Sequence, residues 1–168
     1  MKNQQQSGFT IVELLIVIVV IGILAAITTV AYNGIQSRAN DTAVQSDLRH
    51  YAAKVLEYQA INGSLPGAYS NGTARQGLTS FVLTTASYAT DVHNFYYCVD
   101  TTPGAEEFAV GAVSKSGNKY AYMSSGGLKP YTGVWGASYQ HCPGMGIDTY
   151  AYSYGYNKDI PGWHSWTR

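Results

Sequence analysis

The sequence predicts an α+β fold, in which a long amino-terminal helix packs on a small antiparallel β-sheet head. Three observations predict it. Residues 14–27 read LLIVIVVIGILAAI without a polar side chain. With residues 9–12 they approach the roughly 20 apolar residues that a helix needs to cross a bilayer core. Farther on, Val44, Leu48, Tyr51, Val55 and Tyr58 recur at alternating steps of four and three, the mark of one buried helical face. Residues 95–99, 108–113 and 120–123 are short runs of strand formers. The turn sequences Asp100-Thr101-Thr102-Pro103-Gly104 and Ser114-Lys115-Ser116-Gly117-Asn118 separate them.

The amino terminus departs from an ordinary secretory signal, which has a basic start and a small-residue cleavage site after its apolar core. Lys2 is the only basic residue of the leader, and Gly8, the small residue, precedes the core. Ala25-Ala26 runs on into helix-compatible sequence. Inside the apolar run stands one ionisable residue, Glu13. A carboxylate at the centre of a membrane helix costs about 2.5–3.5 kcal/mol, so Glu13 predicts a function that supplies it with a partner. A plain membrane anchor accounts for the length of the run and leaves Glu13 unexplained.

Gly8-Phe9-Thr10-x-x-Glu13, followed by apolar residues through Gly22-Ile23-Leu24-Ala25-Ala26, resembles the class III signal and first helix of type IV pilins and pseudopilins. The close likeness covers residues 7–32, and a looser one reaches Pro66. It implies a pilin-like fold and cleavage of the Gly8–Phe9 bond by a prepilin peptidase, which then methylates Phe9 at its new amino terminus. It also implies the missing partner of Glu13, the Phe9 ammonium of a neighbouring subunit, since pairing two charges in low dielectric offsets their desolvation. The chain departs from the pattern at Val30, where many members have proline ahead of the Ala-Tyr pair, here Ala31-Tyr32. A proline would kink the helix, so the position of any bend stays open here, with Gly22 and the Thr28-Thr29 pair as weaker breakers.

The helix is expected to continue past the membrane. Arg38, Asp41, Asp47, Lys54 and Glu57 supply polar positions around the buried face. Asn62-Gly63 followed by Pro66 is a stop signal. Residues 9–61 would form a helix of about 80 Å at roughly 1.5 Å per residue. A break near Asn33-Gly34 is the alternative. The expected organisation is a leader over residues 1–8, a transmembrane and filament-core helix over 9–32, its amphipathic continuation over 33–62, and an extracellular β-rich head over 63–168.

In the head, residues 65–77 read as a turn-rich connection, and residues 78–86 read equally as a strand or as one or two helical turns. The three strand runs form a meander whose open face needs a cover, and the amphipathic half of the helix is the expected one. Tyr150, Tyr152, Tyr154 and Tyr156 alternate with Ala151, Ser153 and Gly155, which on a strand places the phenols on one side. They read as an edge strand laying its rings over the core, or as a subunit interface. Trp163 and Trp166 either anchor the tail on the head or face a ligand.

The two cysteines, Cys98 and Cys142, leave no odd thiol, and a head outside the cytoplasm permits a disulfide. Members of the family often close the carboxy-terminal region with such a bridge, so the resemblance implies Cys98–Cys142. The competing reading gathers both cysteines with His93 and His141 around zinc, without any familiar ligand spacing. No catalytic motif is present, and neither a cofactor nor an enzymatic activity is expected. Asp148 and Asp159 are the only acidic residues after Glu107, too few for a carboxylate-rich calcium cage. Ten basic residues balance ten acidic ones. Lys115, Lys119 and Lys129 flank one hairpin, a small patch that does not indicate strong nucleic-acid binding.

The expected function is a structural subunit of a type IV pilus or a related filament. The alternatives are a low-abundance binding pilin for adhesion or DNA uptake, and a type II secretion pseudopilin. The resemblance implies as partners related subunits in a helical filament, a prepilin peptidase, a membrane platform protein and an assembly ATPase. It also implies a lipid bilayer around the helix before assembly. The chain would sit as a single-pass protein in the cytoplasmic membrane with its head outside, and then on the cell surface.

Overall fold

The computed structural model describes residues 9–67, 81–136 and 138–167. The chain divides into two compact units, Met1–Gln36 and Ser37–Arg168. Helix α1, Ile11–Asn62, contributes to both and is unbroken through Asn33-Gly34. It ends at the expected stop: Gly63 adopts φ 71°, and its N–H donates to the Gln59 carbonyl at 2.8 Å. Glycine takes this left-handed conformation without a Cβ clash.

In the first unit the side chains of residues 9–36 are exposed on every side. By length and composition, α1 is long and apolar enough to cross a membrane. Thr28 and Thr29 donate their hydroxyls to the carbonyls of Ala25 and Ala26, each at 3.0 Å. Their polar groups are thus satisfied within the helix, as an apolar surround requires.

The second unit is built on a six-stranded sheet with every pairing antiparallel. Its strands are β1 (Asn94–Asp100), β2 (Phe108–Val113), β3 (Lys119–Met123), β4 (Gly127–Pro130), β5 (Tyr150–Asn157) and β6 (Gly162–Trp163). Their order is β4-β3-β2-β1-β5-β6. The predicted meander is β1 to β3, within one residue at each end. A short helix, α2 (Ser138–Gly144), and 3₁₀ turns at Thr85–Ser87 and Ser165–Thr167 complete the unit. The described part of the undecided stretch 78–86 holds no strand, and a single 3₁₀ turn begins at Thr85. Most of the connection expected over residues 65–77 lies outside the described residues.

Alternation along the strands covers both faces of the sheet. One face sends Phe95, Tyr97, Val99, Phe108, Val110 and Ala112 into a core with Val44, Leu48, Tyr51 and Val55 of α1. These four helix residues are fully buried and Tyr58 packs beside them, so the predicted face is the buried one. Burying side chains of this size stabilises by about 1.5–3 kcal/mol each. The opposite face holds a smaller cluster of Cys98, Ala109, Ala121, Tyr131, Cys142, Met145 and Ile147.

Asp47, one of the polar positions around the buried face of α1, is itself drawn into the core. It is buried on α1 and accepts hydrogen bonds from the Thr84 N–H at 2.8 Å and the Tyr88 hydroxyl at 2.9 Å. Desolvation, and then the Asp47 charge, hold the Tyr88 phenol well above its usual range. Asp41 accepts from Ser116 Oγ, and from Asn118 Nδ2 at 2.8 Å, which ties the β2–β3 turn to α1. Partial desolvation works against its charged form, but the Ser116, Ser114, Asn118 and Tyr120 hydrogen bonds outweigh it and lower the Asp41 pKa.

Phe95 is the one non-glycine among the described residues with positive φ, at 57°. The buried Asn94 side chain braces it: its Oδ1 accepts from Phe95 N at 2.8 Å and Val113 N at 2.9 Å, and its Nδ2 donates to the Ala89 and Val113 carbonyls. Across the ladder, Gly155 leaves the room that this fold needs. A Cβ there would lie 2.7 Å from Thr167 Cγ2 and 3.2 Å from Phe95 Cβ.

Candidate functional site

The amino-terminal end of α1 is a reciprocal cap. Thr10 donates both its N–H and its hydroxyl to Glu13 Oε2, each at 2.8 Å. The Glu13 N–H donates back to Thr10 Oγ1 at 3.2 Å. Two of the helix's otherwise unpaired amide donors are thereby satisfied. The carboxylate also stands in the first turn, where the helix dipole favours negative charge. The lone carboxylate of the apolar segment therefore has a partner within its own chain. The signal for it, Thr-x-x-Glu ahead of an apolar run, is visible in the sequence, but the sequence reading assigned Glu13 only a partner on another subunit.

Phe9 stands one residue before Thr10 and is 87% exposed. The expected cleavage point depends equally on Gly8, which lies outside the described residues. Together, Phe9, Thr10 and Glu13 gather an exposed aromatic ring and a fixed carboxylate at one end of an all-apolar helical surface. Such an end can receive a cation without ordering a long side chain, because the cap already holds the carboxylate oxygen in place.

The remaining candidate residues are in the second unit. Cys98 of β1 and Cys142 of α2 form a disulfide with Cα atoms 5.6 Å apart, so neither thiolate is available to the zinc reading. Among the described residues, no group of three or more potential metal ligands converges. His141, beside the bridge, packs against Tyr96 and Trp135 at ring separations of 4.2 and 4.5 Å. Burial pushes its pKa down to about 4, against the hydrogen bonds to backbone that favour its charged form.

Tyr150 and Tyr152 pack on the disulfide cluster, while Ala151 faces the helix-side core. The phenols and small residues thus take opposite sides, as the alternation requires, with the small residues toward α1. Nor is β5 a free edge along its whole length, since β6 pairs with Tyr156 and Asn157. Tyr154 sits between His93 and His164, at ring separations of 4.9 and 5.5 Å. Tyr156 is buried and meets Trp163 at 5.2 Å. Trp166 is 1% exposed and lies 5.8 Å from Tyr51 and 5.9 Å from Phe95. It anchors the tail in the helix-side core. Among the alternating tyrosines, Tyr150, Tyr152 and Tyr154 remain half-exposed.

The family described as a prokaryotic N-terminal methylation motif matches residues 3–29. The chain is 33% identical over 82 residues to the type II secretion system core protein G of Pseudomonas aeruginosa, covering 49% of this chain and 54% of that protein. It is 38% identical over 65 residues to a fimbrial protein of Neisseria meningitidis, covering 39% and 38%. Over 64 residues it is 38% identical to a type IV major pilin protein of Neisseria gonorrhoeae, covering 38% and 39%. The chain thus spans about half or less of the length of these curated relatives. No solved structure matches it. The chain thus matches the prokaryotic N-terminal methylation motif at its amino-terminal end and is similar, over part of its length, to type IV pilins and to type II secretion core protein G.

Proposed function

We propose that the chain is a structural, non-enzymatic subunit of a type IV pilus or a type IV pilus-like filament, stored in a membrane and assembled after cleavage at Gly8–Phe9. One observation carries this reading. The first unit presents a helical surface that is apolar on every side over residues 14–27, with its single carboxylate, Glu13, fixed at the amino-terminal end. Lipid and a bundle of similar helices solvate such a surface about equally well, so transfer from one to the other changes little apolar hydration. The charge sets the register. Cleavage would turn the Phe9 amide into an ammonium, and the Glu13 carboxylate of a neighbouring subunit would neutralise it. Prepilin peptidase, a membrane platform protein and an assembly ATPase are the partners of this reading, and the head forms the filament surface outside the cell.

Replacement of Glu13 tests the pairing. Glu13→Gln keeps an acceptor for Thr10 and removes the charge. The variant is expected to be processed and to accumulate in the membrane without forming filaments. Filaments at the wild-type level would refute the pairing. Similarity to the core protein G of Pseudomonas aeruginosa favours a second reading, a secretion pseudopilin built on the same helix. Deletion of the chain separates the two: loss of surface filaments marks a pilin, and loss of exported proteins with filaments intact marks a pseudopilin.

A further inference from the structure

We propose that a cleft in the head beside the β2–β3 turn binds an acidic sugar, with the sugar's carboxylate on Lys115 and Lys119 and its ring against Trp135. The cleft has a volume of about 320 Å³, and Asp91, Lys115, Lys119 and Trp135 are among its lining residues. That volume matches one or two sugar rings. A second cleft of about 390 Å³ adjoins it through Asp91 and Lys115 and adds Thr85 and Thr90.

Each lining group suits one part of such a ligand. Neither Lys115 nor Lys119 lies within ion-pairing distance of a carboxylate among the described residues. Neither cation is thus held in an ion pair among these residues. Asp91 and the threonine hydroxyls can accept and donate toward sugar hydroxyls. The indole of Trp135 supplies an apolar platform for the carbon–hydrogen face of a pyranose.

The Trp135 ring and the Lys119 ammonium are also held in advance. Trp135 Nε1 donates to the His93 carbonyl at 3.0 Å, and the ring is wedged against Tyr96, Tyr131 and His141. Lys119 Nζ donates to the Gly133 carbonyl at 3.1 Å, leaving two further ammonium hydrogens. The Lys115 N–H donates to the Ser87 carbonyl at 2.7 Å, which fixes that residue's backbone. Groups held this way lose little freedom on binding.

Nucleic acid fits less well. A duplex presents an unbroken row of phosphates, which Asp91 would repel, and the described residues of the head offer no continuous basic stripe to follow it. One carboxylate on each sugar matches two cations beside one aspartate.

The test uses the full chain in detergent micelles and reads saturation-transfer NMR and titrated affinity. The probes are methyl β-glucuronide, methyl β-glucoside and a short DNA duplex. The glucuronide is expected to bind, and the neutral glucoside to bind about tenfold more weakly or worse. Lys115→Gln, at an exposed position, is expected to weaken glucuronide binding several-fold with an unchanged circular dichroism spectrum. Addition of Lys119→Gln brings the loss to about tenfold or more. Raised salt is expected to weaken the glucuronide alone. The proposal is overturned by absence of glucuronide binding at high millimolar concentration, by equal binding of the two sugars, or by indifference to Lys115→Gln. Duplex binding through the same lysines in place of the glucuronide overturns it equally. None of these outcomes depends on whether the chain polymerises.

Discussion

The Tyr88 hydroxyl donates a 2.9 Å hydrogen bond to the buried Asp47 carboxylate, linking α1 to the segment that leads into β1. Thr84 adds its N–H at 2.8 Å to the same carboxylate oxygen. A buried charge with good donors is stable, and the same charge without them is costly. Together with Asp41, which accepts from the β2–β3 turn, it makes the carboxyl-terminal half of α1 a polar clasp as well as an apolar cover.

Asp47→Ala is accordingly expected to destabilise the head by about 2–4 kcal/mol, since it strands the buried Tyr88 hydroxyl and the part-buried Thr84 N–H. Tyr88→Phe removes one donor and is expected to cost about half as much. Urea unfolding of the full chain in detergent, followed by near-ultraviolet circular dichroism, measures both. Wild-type midpoints for Asp47→Ala would show that the clasp does not hold the head.

If Glu13 pairs with a neighbouring subunit as proposed, the Thr10 cap holds its carboxylate ready for that pairing. Thr10→Ser keeps the hydroxyl and is expected to assemble nearly as the wild type does. Thr10→Val removes the hydroxyl bond and loosens the carboxylate, so filament yield is expected to fall while the membrane pool stays unchanged. Quantification of both pools by immunoblotting checks this. Equal filament yields for Thr10→Ser and Thr10→Val would separate the cap from assembly.

Acid is expected to weaken the head in a defined window. The folded pKa of His141 is pushed down to about 4, below the ordinary value of about 6.5. The unfolded chain therefore binds the proton first, and stability is lost as pH falls from about 6.5 towards 4. The lowered pKa of Asp41 acts later, with its stabilisation lost as pH falls below the ordinary carboxylate range. Denaturation midpoints at pH 7 and pH 5 test the first effect. His141→Gln is expected to shrink the difference between them, and an unchanged difference would clear His141 of the role.

The disulfide closes a loop with a sequence separation of 44. The loop-entropy account assigns such a bridge about 4 kcal/mol. Cys98→Ser with Cys142→Ser is expected to lower stability by up to about that amount. The measurement is the urea midpoint of the double variant against the oxidised wild type. A difference smaller than about 1 kcal/mol would mean that packing, including His141 on Tyr96 and Trp135 and the Met145–Ile147 cluster, holds α2 against the sheet without the bridge.

Much of this architecture is legible in the residues, for reasons that differ by element. The steps between Val44 and Tyr58 report the buried face of α1 because one core takes all of it. The meander is legible because β-branched and aromatic runs alternate with strong turn sequences. Strand β4 was missed, since Gly127-Leu128-Lys129-Pro130 has little strand propensity and relies on pairing with β3. Helix α2 was missed because its sequence contains Pro143 and Gly144, and the disulfide fixes it in place. The orientation of the alternating tyrosines could not be read, because both faces of the sheet are covered and either could hold them. The burial of Asp47 is not legible for a related reason: its donors, Thr84 and Tyr88, lie far away in the sequence.

The measurement that bears most directly on the filament reading is intact mass with amino-terminal sequencing of the chain from sheared surface material of its native cell. The account predicts a chain that begins at methylated Phe9, abundant in the sheared fraction. An uncut chain that stays in the membrane fraction would contradict it.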